Sequence, residues 1–275
     1  MTLCGMIIKE TKFGENDKII TILTAQGKLQ AVAKGARNYK SRLMAGSQLF
    51  CYSSICLQRG RGELPFVCDC EVIRNFYNLR LDIKKLALAS YFAELLCVFA
   101  IDASNALSAT NVPDEPFGDV LSLALNSLYI LEKNDDCRLV KAVFELRLMA
   151  LLGFAPMAEA CVICGDRRIW GFSATDSGML CEKCGGAGQK RGKQGMLVYG
   201  ASKYIYTRCN VIAAIRHIIG SDSKKVFAFK LPAAGSLELA RACEEYVISN
   251  LGRRPKALDY FMTISCPESS TFSSS

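Results

Sequence analysis

Two cysteine pairs, Cys161-Val162-Ile163-Cys164 and Cys181-Glu182-Lys183-Cys184, stand sixteen residues apart. Cys-x-x-Cys turns at this separation match a four-thiolate zinc site, in which each turn presents two sulfurs to one tetrahedral ion. Glycine follows each second cysteine, at Gly165 and Gly185, so the chain can turn sharply after the ligand and aim amides at sulfur. Between the pairs, Ile169-Trp170-Gly171-Phe172 and Met179-Leu180, separated by Asp176-Ser177-Gly178, read as a short hairpin. The expected unit is a zinc ribbon or knuckle over about residues 159–188. It would hold one structural Zn2+ per chain on Cys161, Cys164, Cys181 and Cys184, with no open position for water or substrate. Two other readings stay open: a thioredoxin-like redox pair, and ordinary buried thiols.

The strongest basic cluster is Lys34-Gly35-Ala36-Arg37-Asn38-Tyr39-Lys40-Ser41-Arg42. It surrounds one aromatic ring with four cations, the composition of a single-strand groove in which cations track phosphates and a ring stacks a base. Arg59-Gly60-Arg61-Gly62 adds a second basic loop whose glycines allow close approach to a backbone. The candidate nucleic-acid contacts are therefore Lys34, Arg37, Tyr39, Lys40, Arg42, Arg59 and Arg61. The competing reading is two exposed hairpin loops kept soluble by charge, with Tyr39 a packing residue. Lys190, Arg191 and Lys193, or Arg253, Arg254 and Lys256, would extend a phosphate track, although short charge runs in loops are commonly just solvated.

Catalysis finds little support. The single histidine, His217, lies in a helical pattern without a nucleophile motif around it. A phosphate-binding loop is also missing, because Ala187 stands where its first glycine belongs and Gln194 where Ser or Thr would hold magnesium.

The elements that must carry these residues follow from periodicity. Leu3–Ile8, Lys18–Thr24, Lys28–Ala33, Leu49–Leu57 and Leu64–Cys70 read as short strands separated by polar turns, which suits a small antiparallel barrel. From the plausible N-cap Asp82 the apolar period becomes helical, and Phe117–Leu131 and Arg138–Leu152 add two helices. The second is apolar around most of its circumference, with Arg138, Lys141 and Glu145 as its polar stripe. Gly185–Gly195 reads as a mobile loop, Ser202–Ile219 and Ser236–Leu251 as helices, and Ala257–Met262 as a last turn. The serine-rich Pro267–Ser275 reads as a disordered tail. The fold expected is an α+β multidomain chain: an OB-fold barrel over 1–80, a helical domain over 81–262 carrying the zinc insertion, and the tail 263–275.

With 275 residues and 51% hydrophobic composition, the chain has material for two cores. The net charge is +8, and twelve Lys/Arg against six Asp/Glu place +6 of it in residues 1–80. That asymmetry points to a polyanion partner for the N-terminal part. No basic-then-apolar leader follows Met1, and the fourteen cysteines are scattered through regular patterns. A reducing cytoplasm fits them better than a disulfide framework. The longest apolar stretch, 86–101, contains Glu94 and is too short to span a bilayer.

Several blocks in order resemble the bacterial RecO family of recombination mediators. They are Gly5-Met6-Ile7-Ile8-Lys9-Glu10-Thr11-Lys12-Phe13-Gly14-Glu15-Asn16-Asp17-Lys18-Ile19, then Ala31-Val32-Ala33-Lys34-Gly35-Ala36-Arg37 and Lys40-Ser41-Arg42-Leu43. Leu86-Ala87-Leu88-Ala89-Ser90-Tyr91, Phe144-Glu145-Leu146-Arg147-Leu148, Leu152-Gly153-Phe154-Ala155-Pro156 and the four cysteines follow. The resemblance extends to about Met262. It implies binding of single- and double-stranded DNA, annealing of complementary strands, and help for a recombinase on strands coated by single-strand-binding protein. It implies no catalytic residues. The partners it implies are RecR, often RecF, and the C-terminal tail of single-strand-binding protein. Two rivals remain: a zinc-ribbon transcription or RNA-binding factor, whose binding would be sequence-selective, and a thiol oxidoreductase with a reversible dithiol couple.

Overall fold

The computed structural model describes residues 1–60, 62–103, 116–186, 190–191, 196–199, 202–206 and 209–265. Arg61, most of the 105–116 connection and the tail from 266 onward lie outside the described residues. So do parts of the 185–195 segment, including Lys193, while of Lys190 and Arg191 only the backbone is described.

The chain divides into two compact units, residues 1–133 with 255–275, and residues 134–254. The first is built on five strands: β1 (Thr2–Phe13), β2 (Asp17–Thr24), β3 (Gly27–Ala33), β4 (Tyr52–Gln58) and β5 (Phe66–Arg74). They close into a barrel in the order β1-β2-β3-β5-β4, the strand order of the OB-fold. The alternation of each strand sends Ile20 and Ile22, Leu29, Ala31 and Ala33, and Ile55 and Leu57 into one core. A closed ring with an odd number of strands cannot have every neighbour antiparallel. One seam is therefore parallel, between β3 and β5, with Val32 opposite Phe66, and the other neighbours are antiparallel as expected of the small barrel. A short helix, α1 (Leu43–Gly46), lies between β3 and β4 and buries Leu43 in the barrel core.

A 3-10 turn (Tyr77–Leu81) leads into α2 (Ile83–Phe99). Asp82 caps α2 by accepting from the amides of Lys84 at 2.8 Å and Lys85 at 3.2 Å. With α3 (Gly118–Lys133) and the C-terminal α8 (Lys256–Ser265), this helix belongs to the barrel's unit. The change of period at 80/81 is thus a change of secondary structure, whereas the packing divides after Lys133. The physical reason is that the α2 end completes the barrel's edge. Lys28 exchanges backbone hydrogen bonds with Ile101 and Ala103, and its ammonium donates to the Cys97 carbonyl at 2.5 Å. Glu94 in turn accepts from the first amides of α8, those of Lys256 at 3.3 Å and Ala257 at 2.8 Å, which favours a carboxylate at a helix start.

The second unit holds α4 (Cys137–Leu151), α6 (Cys209–Gly220), α7 (Ala233–Leu251) and the short α5 (Glu182–Gly186). Its strands are β6 (Met157–Cys161), β7 (Ile169–Ser173), β8 (Gly178–Cys181), β9 (Lys190–Arg191), β10 (Met196–Tyr199) and β11 (Ser202–Tyr206). They form one sheet in the order β6-β8-β7-β11-β10-β9. Ser202–Tyr206 is thus a strand where the sequence pattern predicts helix, since the period of α6 dominates a window that spans both. Lys190–Arg191 likewise pairs with β10 rather than forming loop.

Of the expected polar stripe of α4, Arg138 is exposed, whereas Lys141 and Glu145 are buried. Lys141 is 2% exposed and Glu145 fully buried, and the ammonium lies 2.9 Å from both Glu145 and Glu244 of α7. Arg254 lies 2.9 Å from the other Glu244 oxygen. Burial pushes the Lys141 pKa down, but the two carboxylates more than reverse this and hold it above its ordinary value. Removing one member of such a set leaves charge buried with its counter-ion gone. Lys141→Met is therefore expected to lower stability by about 3–5 kcal/mol, read by urea unfolding of the full chain. A loss under about 1 kcal/mol would show that the triad does not hold α4 to α7.

Candidate nucleic-acid interface and metal centre

The segment after β3 is a folded loop. Gly35 adopts φ 63°, a left-handed conformation that suits glycine, and its amide donates to Asp17 Oδ1 at 2.7 Å. The Arg37 amide donates to the Asn16 carbonyl at 3.0 Å, and its Nη1 to the Glu15 carbonyl at 2.7 Å. Arg37 thereby straps the loop to the β1–β2 turn, a structural task that its sequence context does not announce. Asn38 closes the following turn, its side chain accepting from the Lys40 amide and its carbonyl from the Ser41 amide. Ala36 is buried beneath, while Lys34, Arg37, Tyr39, Lys40 and Arg42 are exposed. Tyr39 is 77% exposed, so its ring is presented rather than packed. The Arg42 side chain has no hydrogen-bond or ion-pair partner among the described residues.

The parallel seam brings the second basic loop alongside. The Val32 amide donates to the Pro65 carbonyl at 2.9 Å, and the Lys34 ammonium sits 4.1 Å from the centre of the Phe66 ring, a cation–π contact. Gly60 packs on the same ring so closely that a Cβ there would fall 2.1 Å from it. Arg59 is exposed beside it, and Arg61 lies outside the described residues. Three loops thus share one end of the barrel. Phe66 as the link between the two basic loops was missed in the sequence, because its role follows from strand order and not from any local pattern.

His217 plays a packing part. Its ring nitrogens face the Lys225 carbonyl at 3.2 Å and the Ser221 hydroxyl at 3.1 Å, and its ring meets Phe229 edge-on.

The four paired cysteines converge on one point. Cys161 ends β6, Cys164 lies in the turn after it, Cys181 ends β8 and Cys184 lies in α5. Their sulfurs all lie within 4.8 Å of one another, and Cys164 and Cys181 are 3.6 Å apart. A tetrahedral ion with metal–sulfur bonds of about 2.3 Å needs sulfur–sulfur edges of about 3.8 Å, so the donor set fits a thiolate-bound metal. Gly165 adopts φ 75° in the turn, and its amide donates to the Cys161 carbonyl at 2.8 Å. Burial raises the Cys161 thiol, but amides of Cys164, Cys181 and Ile163 outweigh it and bring the pKa down to about 6. The neighbouring Cys164 side chain, burial and Cys181 push Cys184 up to about 12. Four thiols at this spacing cannot all ionise against one another, and a bound dication removes that repulsion. Among the described residues, the buried cluster around them is Cys161, Leu180 and Cys181, flanked by Val162, Trp170 and Cys184. One metal ion per chain is expected in native mass spectrometry. Cys164→Ser is expected to lose it, and full occupancy in that variant would contradict the ligand set.

Comparison with known proteins places this arrangement. The family model described as "Recombination protein O N terminal" matches residues 1–76, and that described as "Recombination protein O C terminal" matches residues 80–194. A DNA repair protein RecO of Acetivibrio thermocellus is 34% identical over 265 residues, covering 94% of this chain and 95% of that protein. Another, from Alkaliphilus metalliredigens, is 33% identical over 253 residues, covering 90% of this chain and 93% of its own length. One from Symbiobacterium thermophilum is 28% identical over 267 residues, covering 94% and 96%. With matches of this extent running through both the barrel and the cysteine cluster, the chain belongs to the RecO family.

Proposed function

We propose that the chain is a DNA-repair protein that acts as a recombination mediator. It binds single- and double-stranded DNA, anneals complementary strands, and assists recombinase loading on strands coated by single-strand-binding protein. The observation that carries this reading is the set of exposed cations around the presented ring of Tyr39, at the end of an OB-type barrel in a RecO-family chain. Lys34, Lys40 and Arg42, with Arg37 and the 59–62 loop, neutralise phosphates, and Tyr39 offers a face on which any base stacks. Two strands whose backbones are neutralised on one surface repel each other less, so complementary bases meet without an energy source. No residue forms or breaks a bond in this scheme, and the chain is not an enzyme in it. Barrel residues 1–80 carry the DNA, and residues 81–262 carry protein contacts. RecR, often RecF, and the C-terminal tail of single-strand-binding protein are the partners, in the bacterial cytoplasm at the nucleoid.

The metal in this reading is zinc, because four thiolates in a closed tetrahedral set suit Zn2+ and leave it no position for substrate. Its role is to fold the β6–α5 segment. A zinc-ribbon factor that reads sequence is less well supported, since the exposed residues of the barrel loops are phosphate-binding types.

The experiment is annealing of two complementary labelled oligonucleotides, bare and coated with single-strand-binding protein, across a salt series without nucleotide. Salt-sensitive acceleration is expected, and its absence with both substrates would overturn the proposal. Lys34→Ala with Lys40→Ala is expected to weaken single-strand binding about 10-fold near 0.1 M salt and to reduce the salt slope by about 0.7 per lost phosphate contact. Unchanged affinity and slope would remove the 34–42 loop from the interface.

A further inference from the structure

Beside the 34–42 loop the first unit contains a cleft of about 490 Å³, lined among others by Glu10, Lys12, Lys18, Arg37 and Arg80. Its one carboxylate is fully engaged. Glu10 Oε2 accepts from Lys18 Nζ at 3.0 Å, and its other oxygen accepts from the Leu49 amide. Lys18 is only 5% exposed and also donates to the Ser47 carbonyl at 2.7 Å. This pair closes on itself and leaves three other cations on the walls.

Lys12 is paired with Lys18 across the β1–β2 ladder. Like charges directly opposite one another destabilise a ladder, and Glu10 is already spent on Lys18. Lys12 is exposed and has no partner among the described residues. Arg37 and Arg80 are each held by one end of the guanidinium, Arg37 Nη1 on the Glu15 carbonyl and Arg80 Nη2 on the Leu49 carbonyl at 3.1 Å. The rest of each donor fork is left for another acceptor. Guanidinium groups fixed in this way, with an ammonium between the strands, form a preorganised seat for a phosphate oxyanion.

We propose that this cleft seats a backbone phosphate of the bound single strand, with Lys12, Arg37 and Arg80 as donors. The strand then continues from the 34–42 loop around the β1–β2 turn, Arg37 being common to both surfaces. The inference rests on the DNA-binding reading above and adds Lys12 and Arg80 to it. A DNA phosphate is favoured over an acidic peptide because Ala36 and Met44 are the only apolar side chains lining the cleft, too little to anchor a peptide side chain.

The test is fluorescence anisotropy of a labelled oligothymidylate over a salt series. It compares the full-length protein with Lys12→Gln, Lys12→Gln combined with Arg80→Gln, and Lys34→Ala combined with Lys40→Ala. Lys12→Gln is expected to weaken binding several-fold and reduce the salt slope by about 0.7. Its thermal melting should not fall, since the Lys12 side chain holds no partner. The Arg80 substitution should weaken binding further. Wild-type affinity and slope in both cleft variants, with binding weakened in the Lys34/Lys40 variant, would overturn the cleft assignment and leave the DNA reading intact. Failure of the wild type to bind would instead overturn that reading and the cleft with it. Unchanged oligonucleotide binding with lost binding of a labelled Asp/Glu-rich peptide would assign the cleft to a protein partner, against the proposal.

Discussion

Five strands can close into a ring only if one seam runs parallel, and the basic end of the barrel is organised around where that seam falls. Val32 and Phe66 form it. Two residues after Val32 the chain leaves the ladder at Lys34, which rests on the Phe66 ring, and Gly60 lies against the same ring. A slip of one residue in this register would turn Phe66 to the other face and separate the loops. The position of the cations is therefore a property of barrel closure. Their chemistry is local, but their proximity is topological.

The second unit solves a different problem with different means. Around its cysteines the buried cluster is Cys161, Leu180 and Cys181, while Phe172 and Met179 of the β7–β8 hairpin are buried as well. A metal ion held by the four thiolates would cross-link this cluster and link its folding to metal binding. Elsewhere the same unit buries Lys141 between Glu145 and Glu244. Such a set contributes geometry more than net stability, because desolvating the charges offsets much of their attraction.

Much of this was legible in the sequence. Period-two runs bounded by glycine and polar turns locate all five barrel strands, because each has one face in the core. Asp82 marks a helix start because its side chain serves two orphan amides. The cysteine spacing points to a cluster because metal geometry is short-range. What was not legible depends on contacts distant in sequence. Lys141 and Glu145 read only as part of a polar stripe, and nothing local announces that Glu244 of α7 completes their ion-pair set. Ser202–Tyr206 becomes a strand because β7 and β10 offer it partners. Arg37 looks like a free cation, yet the β1–β2 turn takes up part of its guanidinium. Lys12 and Arg80 stand 68 residues apart in the chain and line one cleft because the 3-10 turn carries Arg80 to the Leu49 carbonyl.

In the proposed reading, the charged surface built from these separate loops would hold strands by their backbones, and a base would stack on the exposed ring of Tyr39. The most direct measurement is photocross-linking of the full chain to a single-stranded oligonucleotide carrying 5-iodouracil, with the adducts mapped by mass spectrometry. Adducts on the peptide containing Tyr39 are the expected result. Adducts confined to residues 134–254, with none on the barrel, would contradict the placement of DNA on this end of the fold.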